Sequence, residues 1–179
     1  METPIEPEIS KQVIEMLTVA NDYCIFAESI EKNTREDVLN YLQKVCPLMY
    51  IKGALMPYVK VANPEANERY VTEQNWETIY LDTKKVMGKF DDFWVINPDD
   101  QSETKPTKYS VSELVADVYQ DMKDFILLYQ RNTKATRENA ASECRKLFKT
   151  HWGWRVIDIQ RAVNYILYKS EIDHLEFVI

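Results

Sequence analysis

The sequence predicts an all-α protein, a single-domain bundle of about five long helices. Three observations carry that reading. Apolar residues make up 45% and aromatics 12% of the 179 residues, which is enough to build a packed core and too much for a disordered chain. Those apolar positions recur at helical spacing along most of the chain, and no segment alternates convincingly at the period of a strand. There are only three glycines, Gly53, Gly88 and Gly153, where average usage of about 7% gives roughly a dozen. Such scarcity argues against tight hairpins, and it removes the clustered glycines of phosphate-binding loops and dinucleotide fingerprints.

The first helix is expected over Pro7 to Glu31, with proline tolerated in the first turn and Val13, Leu17, Ala20, Cys24 and Ala27 along one face. Thr34 followed by Asp37 resembles a capping box and opens a second helix toward Tyr58. Pro47 lies inside that run, where it deletes a backbone hydrogen bond, so a kink or a division into two shorter helices is expected there. Residues 60–71, punctuated by Asn63-Pro64, read as a loop. Thr72 then caps a third helix whose stripe is Trp76, Ile79, Tyr80, Thr83, Val86, Met87 and Phe90, ended by Gly88 and Asp91-Asp92. A mobile loop is expected at about 97–109, rich in Asp, Ser, Thr and Pro. Ser110 and Glu113 form an S-x-x-E capping box for a fourth helix from Val111 to about Arg131. The fifth helix starts near Thr136 and runs to about Lys169, bending at Gly153, with a tail from Ser170 to Ile179.

The charge is −7, and its distribution is uneven. Residues 1–110 hold 12 basic and 19 acidic side chains, whereas residues 111–179 hold ten of each. Between Arg131 and Arg161 eight basic residues face three acidic ones. Arg137, Arg145, Lys146, Lys149, Arg155 and Arg161 point in at least three directions around a helix, so they form no phosphate-tracking stripe; a protein partner is favoured over nucleic acid. The longest run free of Asp, Glu, Lys and Arg is seven residues, against the ~20 a membrane helix needs. The N-terminus lacks the pattern of a signal peptide, and Cys24, Cys46 and Cys144 are odd in number with no C-x-x-C pair. Together these features point to a cytoplasmic protein with three buried thiols.

One polar cluster stands out. Placed at 100° per residue, the fifth helix gathers Ala141, Cys144, Phe148, Trp152, Ile159, Ala162 and Ile166 on one side, and His151, Arg155 and Asp158 fall on that same side. A charge facing the core is costly unless paired, so Arg155 needs a carboxylate. Asp158, one turn away, is the first candidate, and Asp117 or Asp121 of the fourth helix can complete a network. Such a cluster has four readings: an interhelical ion-pair network that fixes packing; a metal site using His151 with Asp158, Asp117 or Asp121; an acid/base site centred on His151; or a ligand or partner pocket lined by Trp152, Trp154, His151, Arg155 and Tyr119. The metal reading suffers from having two histidines without ligand spacing and from the charge of Arg155. The acid/base reading lacks a nucleophile at a defined spacing. No cofactor motif is present, and a small-molecule ligand remains open. Trp154 points away from the apolar centre and is an anchor for a partner.

Four blocks of the chain resemble a bacterial helical family, domain of unknown function 5063: Val19 to Cys24; Asp92 to Val95 ending at Pro98; Ser112 to Lys123; and His151-Trp152-Gly153 followed by Asp158 and Arg161-Ala162. The resemblance implies a helical fold and carries no activity, substrate or catalytic residue. Where the family often has a second histidine this chain has Arg155, a departure that weakens a two-histidine metal site. The residues alone therefore favour a non-enzymatic binding or adaptor module for a macromolecular partner, and second to it a metal-dependent or acid/base enzyme sited between the fourth and fifth helices.

Overall fold

Six helices and one short hairpin make up the fold in the computed structural model, which describes residues 6–95 and 106–176. In chain order the elements are α1 (Lys11–Ala27), α2 (Arg35–Ala54), α3 (Glu73–Met87), β1 (Asp92–Val95), β2 (Thr107–Ser110), α4 (Val111–Gln130), α5 (Lys134–Thr150) and α6 (Trp152–Glu176). Short 3-10 turns at Pro7–Ile9 and Ile30–Lys32 flank α1, so the first helix is shorter than the pattern suggested. The caps follow the sequence closely. Thr34 Oγ1 accepts the Asp37 amide at 3.2 Å while Asp37 accepts the Thr34 amide at 3.1 Å, and Thr72 with Asn75 repeats the arrangement at the same distances. Pro47 does not divide α2, which runs unbroken from Arg35 to Ala54.

Helix α4 is the hub. It packs against α3, α5, α1 and α6, and 13 of its 20 residues are buried, so even its carboxylates at 121 and 124 are taken inside. At its N-terminus the Ser110 hydroxyl accepts the Glu113 amide, but the cap is completed by Asp91 rather than by Glu113. Asp91 is 2% exposed and accepts the Ser112 amide at 2.8 Å and the Ser112 hydroxyl at 2.6 Å, while its carbonyl accepts the Val111 amide at 2.9 Å. Two orphan amides of the first turn are satisfied this way, and the end of α3 is fastened to the start of α4.

Two expectations are corrected by the fold. The long fifth helix is two helices, α5 and α6, which makes six in all. The break is at His151 (φ −139, ψ −76), not at Gly153. Next to the break the Trp152 indole turns into the core at 0% exposure and donates to the Cys144 carbonyl of α5 at 3.1 Å. A Cβ on Gly153 would meet the Phe148 carbonyl oxygen at 2.0 Å, so the missing side chain admits the last turn of α5. At Gly53 of α2 a Cβ would lie 2.2 Å from the Trp152 ring, so this glycine admits the close approach of α6.

The second correction is the hairpin. Residues 92–95 pair antiparallel with 107–110, in the register Phe93 with Tyr109 and Val95 with Thr107. Part of the span expected to be a mobile loop is therefore strand; residues 96–105 lie outside those described. The alternation that makes the strand, Phe93 and Val95 inward with Asp92 and Trp94 outward, is only four residues long, too short to stand out as a period. At the C-terminal end, the tail expected from Ser170 continues as helix to Glu176.

Candidate functional site

The cluster anticipated around His151 exists, with different members. Three carboxylates project inward from successive turns of α4, at positions 117, 121 and 124. His151, at the α5–α6 break, sets its Nδ1 2.5 Å from Asp121 Oδ2, and the Asp121 side chain is 2% exposed. Burial raises the Asp121 carboxyl above its ordinary range, against the opposing pull of His151, Arg69 and Arg155. Arg155, in the first turn of α6, donates from Nε to Asp117 Oδ2 at 2.7 Å and from its terminal nitrogen to the His151 carbonyl at 2.9 Å. The other Asp117 oxygen accepts the Trp76 indole at 2.9 Å, which brings α3 into the network. Trp76 was not anticipated here; an indole packed against other helices needs an acceptor, and that requirement was the available signal.

Three anticipated members are elsewhere. Asp158 makes no ion pair with Arg155, because the Arg155 guanidinium is directed at α4; it is half-buried on α6, and burial raises its carboxyl while Arg161 pulls the other way. Tyr119 projects from a different side of α4 and donates to Glu28 Oε1 at 2.9 Å. Trp152 is core, packed on Phe148 and Gly53. The pocket expected from Trp152, Trp154, His151, Arg155 and Tyr119 therefore does not form. Among the described residues the His151 ring has Asp121 as its side-chain hydrogen-bond partner, and no group of three or more His, Cys, Asp and Glu is arranged to hold a metal ion.

A concavity lies between β1 and α6. It has a volume of about 590 Å³, within the ~300–1,000 Å³ of ligand-binding sites. Its walls are aromatic: Phe90 and Phe93 below, with Trp94 and Tyr165 at the rim, 64% and 56% exposed. Lys89 and Arg161 supply positive charge at its edges. Asp92, also in the lining, is engaged by Lys108 at 2.7 Å. An aromatic sequence runs from the hairpin onto α6: Phe93 to Tyr109 at 6.1 Å between centroids, then Tyr109 edge-on to Trp154 at 6.2 Å. The Arg155 guanidinium sits 4.2 Å above the Trp154 ring, so one arginine joins the buried network to this aromatic surface. Positions 154, 158, 161 and 165 share one face of α6 by their spacing. The sequence pattern singles out Trp154 as pointing away from the apolar side and Asp158 as lying on it, and does not group them with Trp94, Arg161 and Tyr165, because that grouping depends on the unforeseen hairpin.

Comparison with known proteins agrees with the fold and brings no chemistry. The profile of a family described as a domain of unknown function, DUF5063, matches residues 7–169. A crystal structure of a protein from Bacteroides fragilis, a structural genomics target, is similar with a TM-score of 0.79 at 29% identity, covering 89% of this chain and 94% of that one. No curated protein matches the chain.

Proposed function

Because the chain belongs to the family described as domain of unknown function 5063, whose description carries no chemistry, we propose a function from its own geometry: a non-enzymatic binding module that docks another protein in the groove between β1 and α6. The observation that carries this reading is the pairing of exposed aromatic rings with unspent charge. Trp94 and Tyr165 stand open at the rim, and Lys89 and Arg161 make no ion pair among the described residues. Aromatic and arginine side chains dominate the energetics of protein interfaces.

The His151 network supports this reading in a positioning role. Asp117 accepts from both Arg155 and Trp76 while Asp121 pairs with His151, and these contacts tie α3 and α4 to the helix break and the first turn of α6, next to Trp154. A catalytic reading would need a nucleophile or substrate pocket at His151, and the ring meets neither hydroxyl nor thiol among the described residues. A cytoplasmic location fits three buried free thiols, and no helix among the described residues is long and apolar enough to cross a membrane.

Quantitative affinity purification from the native host tests the proposal. A stoichiometric protein should be retained by the wild-type chain and lost with the double variant Trp94→Ala, Tyr165→Ala, both solvent-facing changes that leave the fold intact. Equal recovery of the same proteins by both chains would overturn it.

A further inference from the structure

We infer that the groove takes its partner by strand addition: an extended, acidic segment of a second protein pairs with the outer edge of β1 and lies between that strand and α6. The inference rests on the binding-module reading and adds the mode and the partner's chemistry.

Main-chain geometry is the first ground. The Val111 amide donates to the Asp91 carbonyl at 2.9 Å, and the register continues Phe93 with Tyr109 and Val95 with Thr107. Antiparallel pairs alternate between bonded and non-bonded positions. Phe93 and Val95 therefore turn their amides and carbonyls toward β2, and Asp92 and Trp94 turn theirs to the opposite edge. Among the described residues the sheet has only β1 and β2, and no described strand pairs with that edge. Natural proteins protect such edges or use them to bind an extended peptide.

The position of the groove is the second ground. Its described lining comes from β1, the turn before it and α6, with no residue of β2, so the open space lies on the unpaired side of β1. A strand placed there sends alternate side chains toward Phe90 and Phe93 below, and the others out past Trp94 and Tyr165.

Charge selects the occupant. The whole chain carries −7, yet the groove edge presents Lys89 and Arg161. Lys108 engages the Asp92 carboxylate at the rim, and Asp158, on the same face of α6, lies beyond ion-pair range of Arg161. A second copy of this chain brings its own net negative charge, whereas a local acidic segment meets the two cations directly.

Panning the full-length chain against a displayed library of random dodecapeptides, followed by amide hydrogen exchange on the bound complex, tests the inference. The enriched peptides should be net negative with alternating apolar residues. Their binding should slow exchange at the Asp92 and Trp94 amides and weaken about tenfold or more in Arg161→Glu, with partial recovery when a peptide carboxylate is replaced by a lysine side chain. Circular dichroism of Arg161→Glu, a change at an exposed residue, checks folding. Absence of enriched peptides, enrichment of neutral or basic ones, unchanged exchange at both amides, or indifference to Arg161→Glu would each overturn strand addition. So would a concentration-dependent dimer abolished by Trp94→Pro, which assigns the edge to a second copy. Loss of strand addition alongside a partner that still depends on Trp94 and Tyr165 leaves the binding-module reading standing, so the two failures are distinguishable.

Discussion

Arg155 is the residue on which the polar cluster depends. It holds Asp117 through Nε, holds the His151 carbonyl at the helix break, and covers Trp154 with its guanidinium. The Asp117 and Arg155 side chains are 19% and 14% exposed, so the pair is only lightly screened by solvent. Arg155→Ala is expected to cost about 2–3 kcal/mol in denaturant unfolding, because it strands a largely buried carboxylate; a change within about 0.5 kcal/mol would place Arg155 outside any such network. Asp158 gives a prediction of opposite character. Its folded-state pKa is raised, so the protonated form is favoured in the native protein, and the stability it contributes is full below the unfolded value and lost as pH rises through the raised one. Asp158→Asn should therefore be more stable than wild type at neutral pH, and the difference should close below about pH 4. Thermal unfolding across that range checks the sign.

At the scale of elements, the helices that were legible are those with long stripes and side-chain caps. Thr34, Thr72 and Ser110 each mark a true helix start, and the α3 stripe from Trp76 onward faces the core as its spacing requires. What escaped has a physical reason in each case. The α5–α6 break coincides with burial of the Trp152 indole against a carbonyl of the preceding helix, a tertiary contact that leaves the apolar pattern continuous across it. The hairpin is too short to display its period. Asp91 read as a helix stop, and only the fold shows that the same carboxylate caps the next helix. Asp91→Ala should lower stability by about 2 kcal/mol or more, since it removes a cap and leaves buried donors of α4 unpaired. Gly53→Ala tests the α2–α6 contact: its Cβ would lie 2.2 Å from the Trp152 ring and 2.6 Å from Phe148. We expect about 1–3 kcal/mol of overpacking, partly relieved when Trp152→Phe is added. Additive losses would show that the two residues do not meet.

The whole molecule is a helical body built around α4, with a small hairpin clipped to one side and a groove left between the two. Its polar cluster was legible as a cluster, because inward-facing His151 and Arg155 demand partners. Its purpose was not, because the groove that gives the surrounding surface a use is formed by residues far apart in sequence, from Phe93 on β1 to Asn164 and Tyr165 on α6. Site-specific photocrosslinking in the native host shows whether this groove is the docking face. A photoreactive phenylalanine analogue is placed at Tyr165 in one chain and, as a control on a remote exposed surface, at Glu77 of α3 in another. One stoichiometric protein should crosslink from position 165 and not from position 77. Crosslinking of the same protein from both positions, or from position 77 alone, would contradict it.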